Sequence, residues 1–263
     1  MRKYLDLSLI GIKEHTAYLN SVWATFLSKI VYLYMQFALW NALFSSNTGK
    51  SIPLSQDDTI RYIIIATIIS TFMECDVIGW INGQIGSGDV ANQLIRPIDY
   101  KFMIFAKHIG TSIAKIVIYT LPLGIVISFF YHGELFCRKQ LIYGIISIFL
   151  AYVIQFLYSL IIGLMAFWLI VTWPLNMLLA AIYKLLSGSW IPTAMFPQLL
   201  TTINMFLPFR AIYAIPVTII TTPLSFESIC KNLFVQLVWL AVLLLISEAV
   251  WIVGKNKLVV QGG

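Results

Sequence analysis

Six charged side chains sit inside otherwise apolar stretches of this sequence: Lys29, Glu74, Asp76, Lys107, Lys115 and Lys184. A charge near the centre of a bilayer-spanning helix costs roughly 2.5–3.5 kcal/mol on insertion scales. Such residues therefore pair with one another, line a polar path or reach back to the headgroups. Counting helical rise from the expected cytoplasmic ends puts Lys29 and Glu74 both about 10 Å deep on neighbouring spans. They either form an ion pair or snorkel separately to the inner headgroups. Lys115 and Lys184 fall nearer the midplane, facing a polar cavity, a partner subunit or each other.

Patterns for bond-making chemistry are nearly absent. The histidines His15, His108 and His132 are scattered, with no HExxH and no metal set. Cys75, Cys137 and Cys230 are far apart and form no CxxC pair, so they read as small hydrophobes. Thr48-Gly49-Lys50-Ser51 ends like a phosphate-binding loop, but Phe44 stands where the first glycine is needed and no strand precedes it. No nucleophile–base pair suggests an intramembrane enzyme.

The elements that must position the charges follow from composition. Of 263 residues 60% are hydrophobic and 11% charged, against about 25% charged in soluble domains. A sphere of this size cannot bury so much apolar surface, so the solvent is lipid. A soluble enzyme, a secreted disulfide scaffold and a disordered hub are excluded. The net charge of +6 has no dense basic run, so it reflects the positive-inside bias of membrane proteins and not nucleic-acid binding.

A bilayer core of roughly 30 Å needs about 20 helical residues. Val22–Phe44, Arg61–Ile81, Phe102–Tyr131 and Leu233–Val253 each meet this requirement, and the block Leu141–Ile191 holds two further crossings divided at Trp168, Thr172, Trp173 and Pro174, with Leu175–Leu186 beyond. The expected fold is all-α, with six transmembrane helices over residues 22–263. With cytoplasmic termini, the inner segments hold Arg2, Lys3, Lys13, Arg96, Lys101, Lys107, Lys255 and Lys257, against Lys50, Arg61, Arg138, Lys139, Arg210 and Lys231 outside. That bias places both termini in the cytoplasm.

Residues 1–21 read as an interfacial helix, with Leu5, Leu9, Ile12 and Leu19 near one face. They do not read as a cleavable signal, because Lys13, Glu14 and His15 interrupt the apolar run. Between Gly188 and Pro223 the prolines Pro192, Pro197, Pro208, Pro216 and Pro223 recur within apolar sequence. Repeated loss of backbone donors forbids a straight span, so short re-entrant helices are expected over about 190–223.

The segment Ile81–Pro97 combines Gly83, Gly86 and Gly88 with Asp89, Val90, Leu94 and Ile95, ending at Arg96-Pro97. The spacing predicts a loosened helix end and then a short amphipathic helix capped by Asp89, within about 83–97. Ile85-x-x-Gly88-x-Val90 followed by Gln93-Leu94-Ile95-Arg96-Pro97 resembles the G…LLRP signature of the ABC-2 family of ATP-binding-cassette permeases. The resemblance is to the branch with paired permeases and a separate ATPase. The later run Leu186-Ser187-Gly188, Ile191-Pro192, Phe196-Pro197 and Leu207-Pro208-Phe209-Arg210-Ala211-Ile212-Tyr213-Ala214-Ile215-Pro216 is similar to that family's LSG…P…FP…LPF…Y.P pattern.

The resemblance implies a permease of a bacterial cytoplasmic membrane that exports a hydrophobic or amphiphilic substrate (lipid, peptide or drug). Its partners would be a dimer of cytoplasmic ABC ATPases, a second permease and membrane lipid, with no nucleic acid. ATP and Mg would bind the ATPase, and this chain would hold no cofactor and catalyse nothing. Gly88, Asp89, Val90, Leu94, Ile95, Arg96 and Pro97 match the family's ATPase-coupling helix, and Pro197, Pro208, Phe209, Arg210 and Pro216 its outer re-entrant motif. Ala166–Pro174 carries no charge, which departs from the family and carries over no second ATPase contact. An ion-coupled secondary transporter would instead use the intramembrane charges directly. A structural or immunity protein would occupy the membrane without moving anything.

Overall fold

A computed structural model describes residues 2–17, 19–46, 53–74, 76–95, 97–169 and 173–257, and every regular element within them is helical. Thr48-Gly49-Lys50-Ser51, Cys75 and Arg96 lie outside the described residues. The helices are α1 (Arg2–Thr16), α2 (Leu19–Ser45), α3 (Gln56–Met73), α4 (Val77–Ser87), α5 (Asp89–Leu94) and α6 (Tyr100–Lys115). They continue as α7 (Leu121–Phe130), α8 (Leu141–Leu164), α9 (Trp173–Leu186), α10 (Gln198–Met205), α11 (Ala214–Thr221) and α12 (Phe226–Lys255).

By length and composition five stretches among the described residues can cross a bilayer: Val22–Ser45, Gln56–Ser87, Tyr100–Phe130, Arg138–Phe167 and Phe226–Lys255. The sixth expected span is shorter. Helix α9 has 14 residues, about 21 Å of rise against the roughly 30 Å of a hydrocarbon core. The chain leaves the helix through Gly188, whose φ of 84° no residue with a Cβ adopts comfortably.

The second span is not one helix, as the run Arg61–Ile81 led us to expect. Helix α3 ends at Met73, and α4 restarts under a cap in which Asp76 Oδ1 accepts from Gly79 N at 2.8 Å. An Asp with a glycine three residues on supplies that N-cap. The third span stays continuous but passes through a π-helical turn at Ile116–Thr120. Pro122 explains it, because it lacks a backbone donor and its ring crowds the carbonyl of Ile118.

We call the side holding Gly88 and the end of α12 the near face, and the side holding residues 131–140 the far face. At the far face Ser55 caps α3, accepting from Asp58 N at 3.1 Å. Tyr131 donates to Asp57 Oδ1 at 2.7 Å, tying the end of α7 to α3. In the interior, Gln236 of α12 donates to Ser147 O (3.1 Å) and Ala211 O (2.8 Å), and its Oε1 accepts from Ser147 Oγ (2.8 Å). One amide thus joins α12, α8 and the chain entering α11. Large apolar side chains such as Trp23, Leu27, Tyr34 and Met35 on α2 remain exposed, as expected of a surface facing lipid.

Helix α1 lies along α6. Its contact face holds Ser8, which donates to Ala106 O at 2.8 Å, and buried Gly11. The approach is so close that a Cβ on Gly110 would lie 1.9 Å from Ser8 O. Leu5 and Leu9 point away from the bundle and are exposed. Replacing Gly110 by Val should push α1 off α6 and cost roughly 1–3 kcal/mol of stability by overpacking. Hydrogen exchange in detergent should show α1 amides losing protection; protection equal to wild type would contradict this packing.

Candidate functional site

The break in the second span gathers the intramembrane charges. Glu74 is the residue where α3 ends, and its side chain meets α2 and α9 while its backbone meets α6. Lys29 Nζ on α2 lies 3.0 Å from Glu74 Oε2, and Lys184 Nζ on α9 lies 3.7 Å from Oε1. Lys115, the last residue of α6, donates to the Glu74 carbonyl oxygen. That carbonyl is free because the helix stops there, so an ammonium takes the place of a backbone donor. Lys29 and Glu74 therefore meet, and Lys115 and Lys184 converge on the same residue. Lys184 also lies over the Trp190 ring, 5.9 Å from its centroid.

On the Lys115 side is a polar cavity of about 520 Å³ between α1, α4 and α6, lined by His15, Asp76, Lys107, His108 and Thr111 among others. Lys107 is already paired, 2.7 Å from Glu14 Oε2 and 4.8 Å from the centroid of the Trp80 ring. Burial, with the Lys115 charge second, holds the His15 imidazole below its ordinary pKa, so it is neutral at pH 7. His108 is buried and stacks on Tyr152 with centroids 4.8 Å apart. Neither of its ring nitrogens has a hydrogen-bond partner among the described residues.

Toward the far face, α2, α3 and α7 enclose an apolar groove of about 340 Å³. Leu33, Phe37 and Trp40 line it from α2, Ile60 and Ile64 from α3, and Ile127 from α7. Leu33 is one helical turn from Lys29, so charge and groove share one seam. Neither the convergence on Glu74 nor this groove follows from the spacing, which carries no information on helix rotation.

At the near face, Gly83 and Gly86 fall inside α4, and only Gly88 breaks the chain, with φ 77°. Gly88, not Asp89, occupies the N-cap of α5. The Asp89 carboxylate instead accepts from Ser87 Oγ at 2.7 Å. Val90 is fully buried and anchors this short helix, while Leu94, Pro97 and above all Ile95, 83% exposed, project outward. Behind it Tyr100 donates to Gln84 Oε1 at 3.2 Å and stacks on Trp251 at 5.0 Å. The result is a firmly seated knob with an apolar tip.

The proline-rich segment folds against the bundle interior. Pro197 and Pro208 stand at N-caps, and Pro216 lies in the first turn of α11, the positions where a missing donor costs least. Phe209 is buried, and Arg210 lines a cavity of about 300 Å³ with Thr201, Asn204 and Asn232. Asn204 donates to Leu186 O at 2.9 Å, Ala214 N to Ser187 O at 3.0 Å, and Tyr62 to Gly188 O at 2.9 Å. These bonds satisfy the carbonyls left open at and just beyond the C-terminal end of α9.

Removing the Glu74 carboxylate leaves its lysines without a counter-charge. Glu74→Gln should lower stability by roughly 1–3 kcal/mol, less than a fully buried pair would lose because the side chain keeps 38% exposure. Adding Lys29→Gln should recover part of that loss. The thermal midpoint in detergent reads both, and a Glu74→Gln protein as stable as wild type would contradict the pairing.

No curated protein matches the chain. The sequence profile described as ABC-2 family transporter protein matches residues 30–262, from within the first span to beyond the last helix. The chain therefore belongs to the ABC-2 transporter family and forms the multi-pass membrane permease of an ABC transporter.

Proposed function

We propose that this chain is the permease half of an ATP-driven exporter and that its own work is mechanical. A separate pair of cytoplasmic ATPases binds ATP and Mg, and a second permease, identical or homologous, completes the path. Both termini lie in the cytoplasm. Helix α1 rests at the inner leaflet, α9 with the re-entrant helices α10 and α11 makes the sixth crossing, and the cargo is hydrophobic or amphiphilic. The chain adds no catalytic group of its own.

The observation that carries this reading is the knob after the second span. Val90 fixes α5 to the bundle and leaves Leu94 and Ile95 as an exposed apolar tip. Helix α4 joins that tip to the break between α3 and α4. A push on the knob would then act on a lever of 11 residues, about 16 Å long, whose free end is the discontinuity beside Glu74. The charged cluster sits where such a lever turns, and discontinuous helices mark the moving sites of other transporters.

Leu94 and Ile95 are exposed, so charging them tests docking without disturbing the core. Ile95→Asp, in a permease coexpressed with its ATPase, should lower both copurified ATPase and transport about tenfold or more. The permease's own thermal midpoint should stay at the wild-type value. Full ATPase recovery with undiminished transport would remove the knob from the coupling.

A further inference from the structure

Three ammonium groups converge on Glu74: Lys29 and Lys184 meet its carboxylate, and Lys115 donates to its backbone carbonyl. Asp76, two residues on, adds a second carboxylate on the Lys115 side, where both line the polar cavity. Lys107 and Glu14 on the flank cancel each other. Among these groups, three cations against two anions leave a surplus of one positive charge. A surplus charge between apolar helices is costly unless a counter-ion or water meets it. The chain offers further unmet hydrogen-bonding capacity there: buried His108, lining the same cavity, has two ring nitrogens with no partner among the described residues.

The neighbouring groove supplies the other half of a recognition site. It is lined almost wholly by aliphatic and aromatic side chains, and its volume of about 340 Å³ lies at the low end of the roughly 300–1,000 Å³ of small-molecule sites. Tyr34 and Phe130 on its rim are strongly exposed, so it opens sideways, where lipid would be. Leu33 follows Lys29 by one turn of α2, so a molecule with its charge at Lys29 has its apolar part directed along the groove. Lys184 is the cation free to shift: its 3.7 Å approach to Glu74 is longer than the 3.0 Å approach of Lys29.

We propose that the cargo is an amphiphile with a singly negative headgroup, held where Lys29, Lys115 and Lys184 converge on Glu74, with its alkyl chain in the groove between α2, α3 and α7. This deepens the exporter reading and rests on it for the word cargo. Glu74 holds the lysines together in the empty site, and the headgroup competes for Lys184 and Lys115. The site abuts the end of α4, so a tilt of α4 would move Asp76 relative to Lys115 and change the affinity for the anion. Binding would then be coupled to the stroke without the anion touching the ATPase.

The test uses the full-length permease in neutral detergent with two acyl-chain-labelled fluorescent lipids, phosphatidylglycerol (one negative charge) and zwitterionic phosphatidylcholine. Fluorescence anisotropy should show phosphatidylglycerol binding about tenfold tighter. Lys184→Gln should erase that preference without weakening phosphatidylcholine, and Leu33→Trp, which fills the groove, should weaken both. Equal binding of the two lipids to the wild-type protein overturns the proposal whatever the variants do, as does a preference that survives Lys184→Gln. These measurements need no ATPase, so they can fail while coupling through the knob stands, and stand while it fails. In the assembled transporter ATP should release the bound phosphatidylglycerol; a probe retained through turnover is a resident lipid and contradicts the cargo assignment.

Discussion

One residue, Glu74, shared among the lysines of three helices constrains most of this molecule. Glu74 sits where α3 stops, and its side chain and carbonyl draw in Lys29 from α2, Lys115 from α6 and Lys184 from α9. In water such contacts contribute little, because solvent competes for each partner. Between apolar helices the alternative to a partner is an unmatched charge or an open carbonyl, and either costs several kcal/mol. The break in the second span and the lysines around it are therefore mutually dependent. The break frees the carbonyl that Lys115 takes, and the lysines make an interrupted helix tolerable.

The rest of the bundle is built so that the break can exist without unravelling the fold. Asp76 restarts α4 at once, using Gly79 N as its donor. Gln236 joins α12, α8 and the approach to α11 through three hydrogen bonds well away from the break. On the near face Val90, Tyr100 and Trp251 seat the knob. Rigid parts thus stand on both sides of a short discontinuity, the arrangement in which a small displacement at one end reaches the other instead of dissipating.

Apolar runs long enough to span a bilayer were plain in the sequence, and the boundaries of α2 and of the third span lie within a few residues of them, whereas α12 starts at Phe226, seven residues before the run Leu233–Val253. The two halves of the second span were not separable in that way. An apolar run reports the average character of its residues, and Glu74 and Asp76 are only two residues within a long one. The cap signal was present as Asp76 followed by Gly79, yet it reads as an intramembrane charge when the surroundings are greasy. The length of α9 turned on Gly188, a local backbone demand that hydropathy does not register.

For the candidate site, the depth of Lys29 and Glu74 followed from counting residues, whereas the convergence of Lys115 and Lys184 depends on helix rotation. That rotation is set by packing such as Gly110 against Ser8, a contact about a hundred positions apart in the chain. The knob was legible as a segment because glycine and proline punctuate it. Its capping was not, since Gly88 with its positive φ takes the place that Asp89's side chain suits by type.

The central claim is that a motor outside this chain moves α4 about the break beside Glu74. The most direct measurement is an electron–electron spin distance between labels at Asn92→Cys on the knob and Ile142→Cys on α8, taken in the assembled transporter with and without ATP. The account predicts a distance distribution that shifts on ATP binding and returns after hydrolysis. A distance that stays fixed while cargo is being moved would contradict it.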